Sequence, residues 1–158
     1  MIRIRYSPGE YEIAGSPVEL RGVARRLKEL ARGGVDEVIV CDDAFDPKPY
    51  SSLVPLLRLT KKEEKDRVSM SENKLTFTGS NEGLLRFASF FDMPDDAEDG
   101  FHTHHEYFPG NEYVASDSLP VVISVERNPP NKAPEPTTPS VTPAADAPVA
   151  PATTAAHL

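Results

Sequence analysis

Arg3-Ile-Arg-Tyr-Ser-Pro-Gly-Glu-Tyr-Glu-Ile-Ala-Gly-Ser16 and Arg67-Val-Ser-Met-Ser-Glu-Asn-Lys-Leu-Thr-Phe-Thr-Gly-Ser80 are one pattern written twice, 64 residues apart. Ile2, Ile4 and Tyr6 alternate with Arg3 and Arg5, the period of a half-buried strand. Ser7-Pro8-Gly9-Glu10 is turn chemistry, and Tyr11 to Ala14 returns as a second strand. Gly15 breaks that strand. Ser16 then reads as a helix cap, with Pro17 at the first helical position and Glu19 spaced for a capping box. Val18, Leu20, Val23, Ala24, Leu27, Leu30 and Ala31 recur at helical spacing, and Gly33-Gly34 ends the run. A valine-rich third strand follows from Val35 to Cys41, and a fourth from Leu56 to Thr60.

Under the 64-residue shift, Tyr11 meets Leu75, Ile13 meets Phe77 and Gly15-Ser16 meets Gly79-Ser80. Leu20, Val23 and Ala24 meet Leu84, Phe87 and Ala88 without a gap. Further on the match loosens: Val38 and Val40 fall on His102 and His104, and Leu56–Thr60 falls on Val121–Val125 within a residue. Repetition of this kind predicts two tandem β-β-α-β-β repeats, about 1–64 and 65–127, in a single α+β domain over residues 1–127. Each helix has one apolar face that must lie on a sheet, and the alternating strands suit a largely antiparallel one. Strand order is open at this point: one continuous sheet, or two half-sheets related by a pseudo-twofold axis.

Hydrophobic residues make up 39% of the 158 and the formal net charge is -8. From Asn128 the chain is mostly Pro, Ala and Thr, so 128–158 is expected to be a disordered tail that cannot bury enough surface to order itself. Acid is concentrated in Asp92 to Asp117, where eight Asp and Glu stand without a Lys or Arg. That balance argues against nucleic acid as a ligand and suits a basic protein or a cation, while also serving solubility. Cys41 is the one cysteine, so no intramolecular disulfide is possible, and its apolar surroundings predict an inert buried thiol. No stretch has membrane-spanning length or the form of a leader, which predicts a cytoplasmic protein with no membrane partner.

Where the first repeat has Val-Asp-Glu-Val-Ile-Val-Cys41, the second has Gly-Phe-His-Thr-His-His-Glu-Tyr107. An apolar core strand exchanged for titratable residues is the best local sign of a site. On a strand, His102, His104 and Glu106 share one face, and Thr103, His105 and Tyr107 the other. Two imidazoles and a carboxylate at that spacing can converge on a divalent metal such as zinc, as a metal-dependent enzyme would require. The glutamate does not have the cupin spacing, and a polar strand exposed to solvent or to a protein partner explains the same residues. Ser16 and Ser80 are explained as caps rather than nucleophiles, and no phosphate-binding glycine loop is present. Tyr107, Phe108, Glu112 and Tyr113 put aromatics beside acids on a loop, the composition of interface anchors. With His102, His104, His105 and Glu106 they form the candidate partner-binding set.

Three segments carry a family resemblance: Leu75-Thr-Phe-Thr-Gly-Ser80 leading into the Leu84, Phe87, Ala88 helix; His102-Thr-His-His-Glu-Tyr107; and Ser118-Leu-Pro-Val-Val-Ile123. In these the sequence resembles the immunity protein 32 family of bacterial polymorphic toxin systems. The resemblance covers the second repeat. It implies a small cytoplasmic α+β protein that binds and neutralises a cognate toxin, with no enzymatic activity; no cofactor is expected, the alternative being a divalent metal such as zinc. A toxin that is a basic nuclease would be complemented by the acidic 92–117 segment.

Overall fold

The computed structural model describes residues 1–127, so the disorder expected of 128–158 lies outside the described residues. The elements are β1 (Arg3–Ser7), β2 (Glu10–Gly15), α1 (Pro17–Ala31), β3 (Glu37–Val40), β4 (Ser52–Leu53), β5 (Leu56–Lys61), β6 (Arg67–Ser71), β7 (Lys74–Gly79), α2 (Asn81–Phe90), β8 (His102–His105) and β9 (Val121–Val125). Apart from the two-residue β4, the order strand-strand-helix-strand-strand runs twice.

Local chemistry sets the helix ends. Ser16 accepts from the Glu19 amide while the Glu19 carboxylate accepts from the Ser16 amide at 2.8 Å, a reciprocal capping box. At the other end Gly33, at φ +110°, lets its own amide reach the Leu30 carbonyl and the Gly34 amide reach Glu29, satisfying the last carbonyls. Leu20, Val23, Ala24, Leu27, Leu30 and Ala31 are buried along one stripe of α1; Val18, expected to join them, is exposed. Each leucine of that stripe contributes about 1.5–3 kcal/mol by leaving water. In α2 the buried stripe is Leu84, Phe87 and Ala88, and the Phe87 ring stacks on Phe77 of β7 with centroids 3.7 Å apart.

The strands form two mixed sheets, ordered β4-β1-β2-β9-β8 and β3-β5-β7-β6. In each, the hairpin of one repeat is completed by strands of the other. The first hairpin, β1-β2, takes β9 and β8; the second, β6-β7, takes β5 and β3. The joins are parallel, β2 with β9 and β7 with β5, and the other pairings between named strands are antiparallel. Tyr11 pairs with Val121 and Leu75 with Leu57, so both partners of the join are displaced by the same 64 residues. Helices α1 and α2 pack on each other, and each also touches both sheets, α1 through β2 and β5, α2 through β7 and β8. One core results, from Ile4, Ile13 and Ile123 through the helices to Leu57, Leu59 and Phe77.

Two expectations need correcting. First, β3 is not a buried core strand. It is an edge, and Val38 and Val40 are 50% and 64% exposed, because alternation turns them away from the helices. Second, the match between β3 and β8 slips by two residues. Ile39 pairs with Leu57 and His105 with Val121, so Ile39 and His105 are equivalent positions and Val38 matches His104 rather than His102. An even slip leaves every side chain on its original face.

The strand-to-helix junction differs between repeats in one telling way. Glu19 and Gly83 are equivalent by the 64-residue shift, and so are Ile2 and Asp66. A Cβ on Gly15 would stand 3.2 Å from Cγ2 of Ile2, and one on Gly79 would stand 3.1 Å from Oδ1 of Asp66. In the first repeat the helix supplies its own carboxylate. In the second, the carboxylate arrives from the chain before β6, and Gly83 leaves the space for it. Anionic charge at the first turn of α2 is thereby kept where the helix dipole favours it.

A Cβ at Gly83 would overlap Oδ1 of Asp66, a buried group with backbone on both sides. Gly83→Ala is expected to destabilise by about 1–3 kcal/mol through overpacking. Gly22→Ala, where an added Cβ meets nothing within 4 Å, is expected to stabilise by up to about 1 kcal/mol. Urea denaturation of both variants checks the pair, and equal effects would contradict this account.

Candidate functional site

Sheet register places the histidines. Across the first sheet, Arg5, Glu12, Val122 and His104 lie in one row, and Arg3, Ala14, Ser124 and His102 in the next; both rows face away from the helices. The row Tyr6, Tyr11, Val121 and His105 faces the core. Alternation along β8 therefore separates His102 and His104, exposed, from His105, which is 2% exposed.

The outward rows form a charge network. Arg5 donates to Glu12 at 3.2 Å and to Glu126, Arg3 donates to Glu126 at 2.9 Å, and the Ser124 hydroxyl donates to Glu12 at 2.6 Å. The loop before β4 covers it, with the Arg5 guanidinium 5.0 Å from the Tyr50 ring centre and 5.6 Å from that of Phe45. His102 and His104 stand at the border of this face, rings 5.0 Å apart and edge to face, and Nδ1 of His102 donates to the Gly100 carbonyl at 2.8 Å. Glu106 does not join them: β8 ends at His105, so strand alternation no longer aims the next carboxylate. Among the described residues, no set of three or more His, Cys, Asp or Glu side chains is placed to hold a metal ion.

Of the eight candidate contact residues, seven are exposed: His102, His104, Glu106, Tyr107, Phe108, Glu112 and Tyr113. His105 is the exception and is not a surface residue. Its ring is caged edge-to-face by Phe87, Phe90 and Phe77, at centroid distances of 5.0, 5.6 and 5.9 Å. Neither ring nitrogen has a hydrogen-bond partner. Burial holds its pKa below the ordinary histidine value; Asp66 and the residue's own backbone pull it back upward, and Arg86 adds to the lowering. The imidazole is neutral at pH 7.

The loop carrying Tyr107, Phe108 and Tyr113 is held firmly. The Asp66 amide donates to the Tyr113 carbonyl, the Ala115 amide to the Asp66 carbonyl and the Leu119 amide to the Val68 carbonyl, each at 2.9 Å. The Ser118 hydroxyl accepts from the Val68 amide, also at 2.9 Å, so the loop covers the β6 edge. The Asn111 side chain closes the turn by accepting from the Tyr113 and Val114 amides. Asp66, 1% exposed, accepts from Nε of Arg86 at 2.9 Å, and the Arg86 guanidinium lies 4.4 Å from the Tyr113 ring centre.

Sequence reasoning missed Asp66, Arg86 and Phe90. The signal for Asp66 was available, since the shift sets it against the apolar Ile2. Between α2, β8 and the loop lies a cavity of about 350 Å³ with mostly apolar walls. Acidity on this side is less than the sequence suggests, because Asp92, Asp95 and Asp117 pair with Lys28, Arg21 and Arg67. Asp96, Glu98, Glu106 and Glu112 are exposed and make no ion pair among the described residues. Cys41 is buried, and desolvation pushes its thiol up to about 12, so it is unreactive.

Comparison with known families decides the assignment. The model of the family described as immunity protein 32 matches residues 10–45 and 74–127, more than half of the chain. The chain belongs to the immunity protein 32 family. The matched segments hold β2, α1 and β3 of one repeat and β7, α2, β8 and β9 of the other, so both helices and the histidine strand fall inside the match. Family membership supports an immunity function and implies a toxin as partner. No curated protein and no solved structure matches the chain. Among the described residues no helix is long and apolar enough to cross a membrane.

His105 makes stability depend on pH. Its folded-state pKa is lowered, so between that value and the unfolded one only the unfolded chain takes up the proton. Stability is full above the unfolded pKa of about 6.5 and falls as pH drops through it, with a slope of at most about 1.4 kcal/mol per pH unit until the folded pKa is reached. In His105→Ile that slope is expected to vanish, and stability at pH 7 to equal or exceed the wild type, since no unpaired imidazole is buried. Urea midpoints from pH 7 to 5 measure this; parallel curves for the two proteins would contradict it.

Proposed function

We propose that this protein binds and neutralises a cognate bacterial toxin in the cytoplasm, through the face built from β8 and the 106–117 loop. One observation carries the reading. Tyr107, Phe108 and Tyr113 are exposed on a loop whose 113–119 stretch is bound to the β6 edge by backbone hydrogen bonds and whose turn is closed by the Asn111 amide donating to the Phe108 carbonyl, beside Glu106 and Glu112, which make no ion pair among the described residues. Exposed aromatics on a rigid support lose little entropy on docking and are favoured anchors. His102 and His104 extend the same face along the sheet edge, and Phe101 adds another exposed ring. Asp96 and Glu98 leave negative charge nearby, which would speed capture of a basic toxin such as a nuclease. The same charge disfavours nucleic acid as a direct ligand.

The test is binding to the toxin encoded beside this gene, followed in real time. Phe108→Ala and Tyr113→Ala are each expected to weaken the complex about tenfold or more, mainly by faster dissociation. Asp96→Asn with Glu98→Gln is expected to slow association and reduce its salt dependence while leaving dissociation unchanged. Absence of a complex, or a complex indifferent to all four substitutions, would overturn the proposal.

A further inference from the structure

The cavity between α2 and the 106–114 loop is built differently from the rest of the surface. Its rim and walls are Phe90, Phe108, Tyr113 and the stem of Arg86, and its floor is Val114 and His105, the two buried members of its lining. His105 is a polar side chain 2% exposed, and among the described residues both of its ring nitrogens are unpaired. The equivalent position of the other repeat is Ile39, so the fold itself does not require an imidazole there. An unpaired buried polar group costs stability, and one that faces a cavity invites an external partner.

From this we infer that the cavity is a receptor for a single uncharged aromatic side chain of the toxin carrying a hydrogen-bonding tip, a tyrosine, whose hydroxyl pairs with His105. The inference rests on the toxin-binding reading and deepens it.

Charge selects this occupant. The groups around His105 are Asp66 from the chain before β6, Arg86 from α2, and His104 and Glu106 from its own segment. A carboxylate entering the cavity would meet Glu106 and the buried Asp66. A cation would meet Arg86, whose charge Asp66 already balances, and would find a carboxylate only in Glu106, an exposed member of the lining. Neither would find a free counter-ion at the floor. A phenol needs none: its ring matches walls of Phe90, Phe108 and Tyr113, and its O–H both donates and accepts, so it serves either tautomer of a neutral imidazole. At about 350 Å³ the cavity has room for one aromatic side chain and is too small for a folded segment.

The experiment titrates the full chain with p-cresol, the tyrosine side-chain analogue, and with toluene, which lacks only the hydroxyl. NMR of the imidazole and nearby amides is the readout. Expected is p-cresol binding about two- to tenfold tighter than toluene, with the His105 ring signals shifted by p-cresol alone. In His105→Ile the two probes should bind alike. In Phe108→Ala, which alters an exposed wall and leaves the core untouched, both should weaken together. Toxin affinity should fall about tenfold in His105→Ile, whose folding is checked by its urea midpoint. No binding of p-cresol, or an equal response to both probes in the wild type, overturns the inference. A toxin that binds the wild type and His105→Ile equally overturns it too while leaving the toxin-binding reading intact. A toxin that does not bind the wild type at all overturns both.

Discussion

The hydrogen bonds that join β2 to β9 and β5 to β7 are the constraint on which the remaining structure depends. They are the parallel pairings within the two sheets, they lie inside their sheets, and each crosses from one repeat to the other. Without them each hairpin would be two strands with one apolar face, too little to be stable alone. With them, both sheets present that face to the same pair of helices. Register follows: pairing Tyr11 with Val121 sets Ile13 against Ile123 toward the core and Glu12 against Val122 toward the outside. A slip of β9 by one residue would turn Ile123 and Val125 to water while Ile13 stayed inside, so the join is specified by burial as firmly as by hydrogen bonds.

Much of this was legible from the residues. The Ser16 capping box, the Gly33-Gly34 stop, both hairpins and the strand-strand-helix-strand-strand order can be read from local chemistry and the 64-residue shift. What could not be read is which strand neighbours which. Alternation reports the face a side chain takes and is silent about the strand beside it, so an exchange of strands between repeats leaves no trace in the pattern. β4, with two residues, is too short to show a period. Val35 to Cys41 misled for a physical reason: valine fits a pleated strand whether buried or not, and at a sheet edge Val38 and Val40 face outward.

The site was half legible. Period two correctly separated His102 and His104 from His105, and the loop aromatics are exposed as their composition suggests. It failed at Glu106, where the strand has ended, and it could not foresee that His105 would sit unpaired among three phenylalanines. Comparing the repeats position by position is more informative than reading either alone. Ile2 against Asp66, Glu19 against Gly83 and Ile39 against His105 are three places where a shared framework holds different chemistry. All three lie along α2, Asp66 and Gly83 at its first turn and His105 against Phe87 and Phe90 further on. Differences tolerated by a common core, and clustered in space, mark where the second repeat was shaped by something other than packing.

Strand exchange also dictates the order in which the chain can close during its synthesis. Every strand of the β3-β5-β7-β6 sheet lies between Glu37 and Gly79, so that sheet can assemble once its hairpin leaves the ribosome. The β1-β2 hairpin is made first, yet its inner edge stays open until Val121 to Val125 emerge, more than a hundred residues later. For that interval β2 offers unpaired amides and carbonyls to any passing strand, and folding finishes at the beginning of the chain rather than at its end.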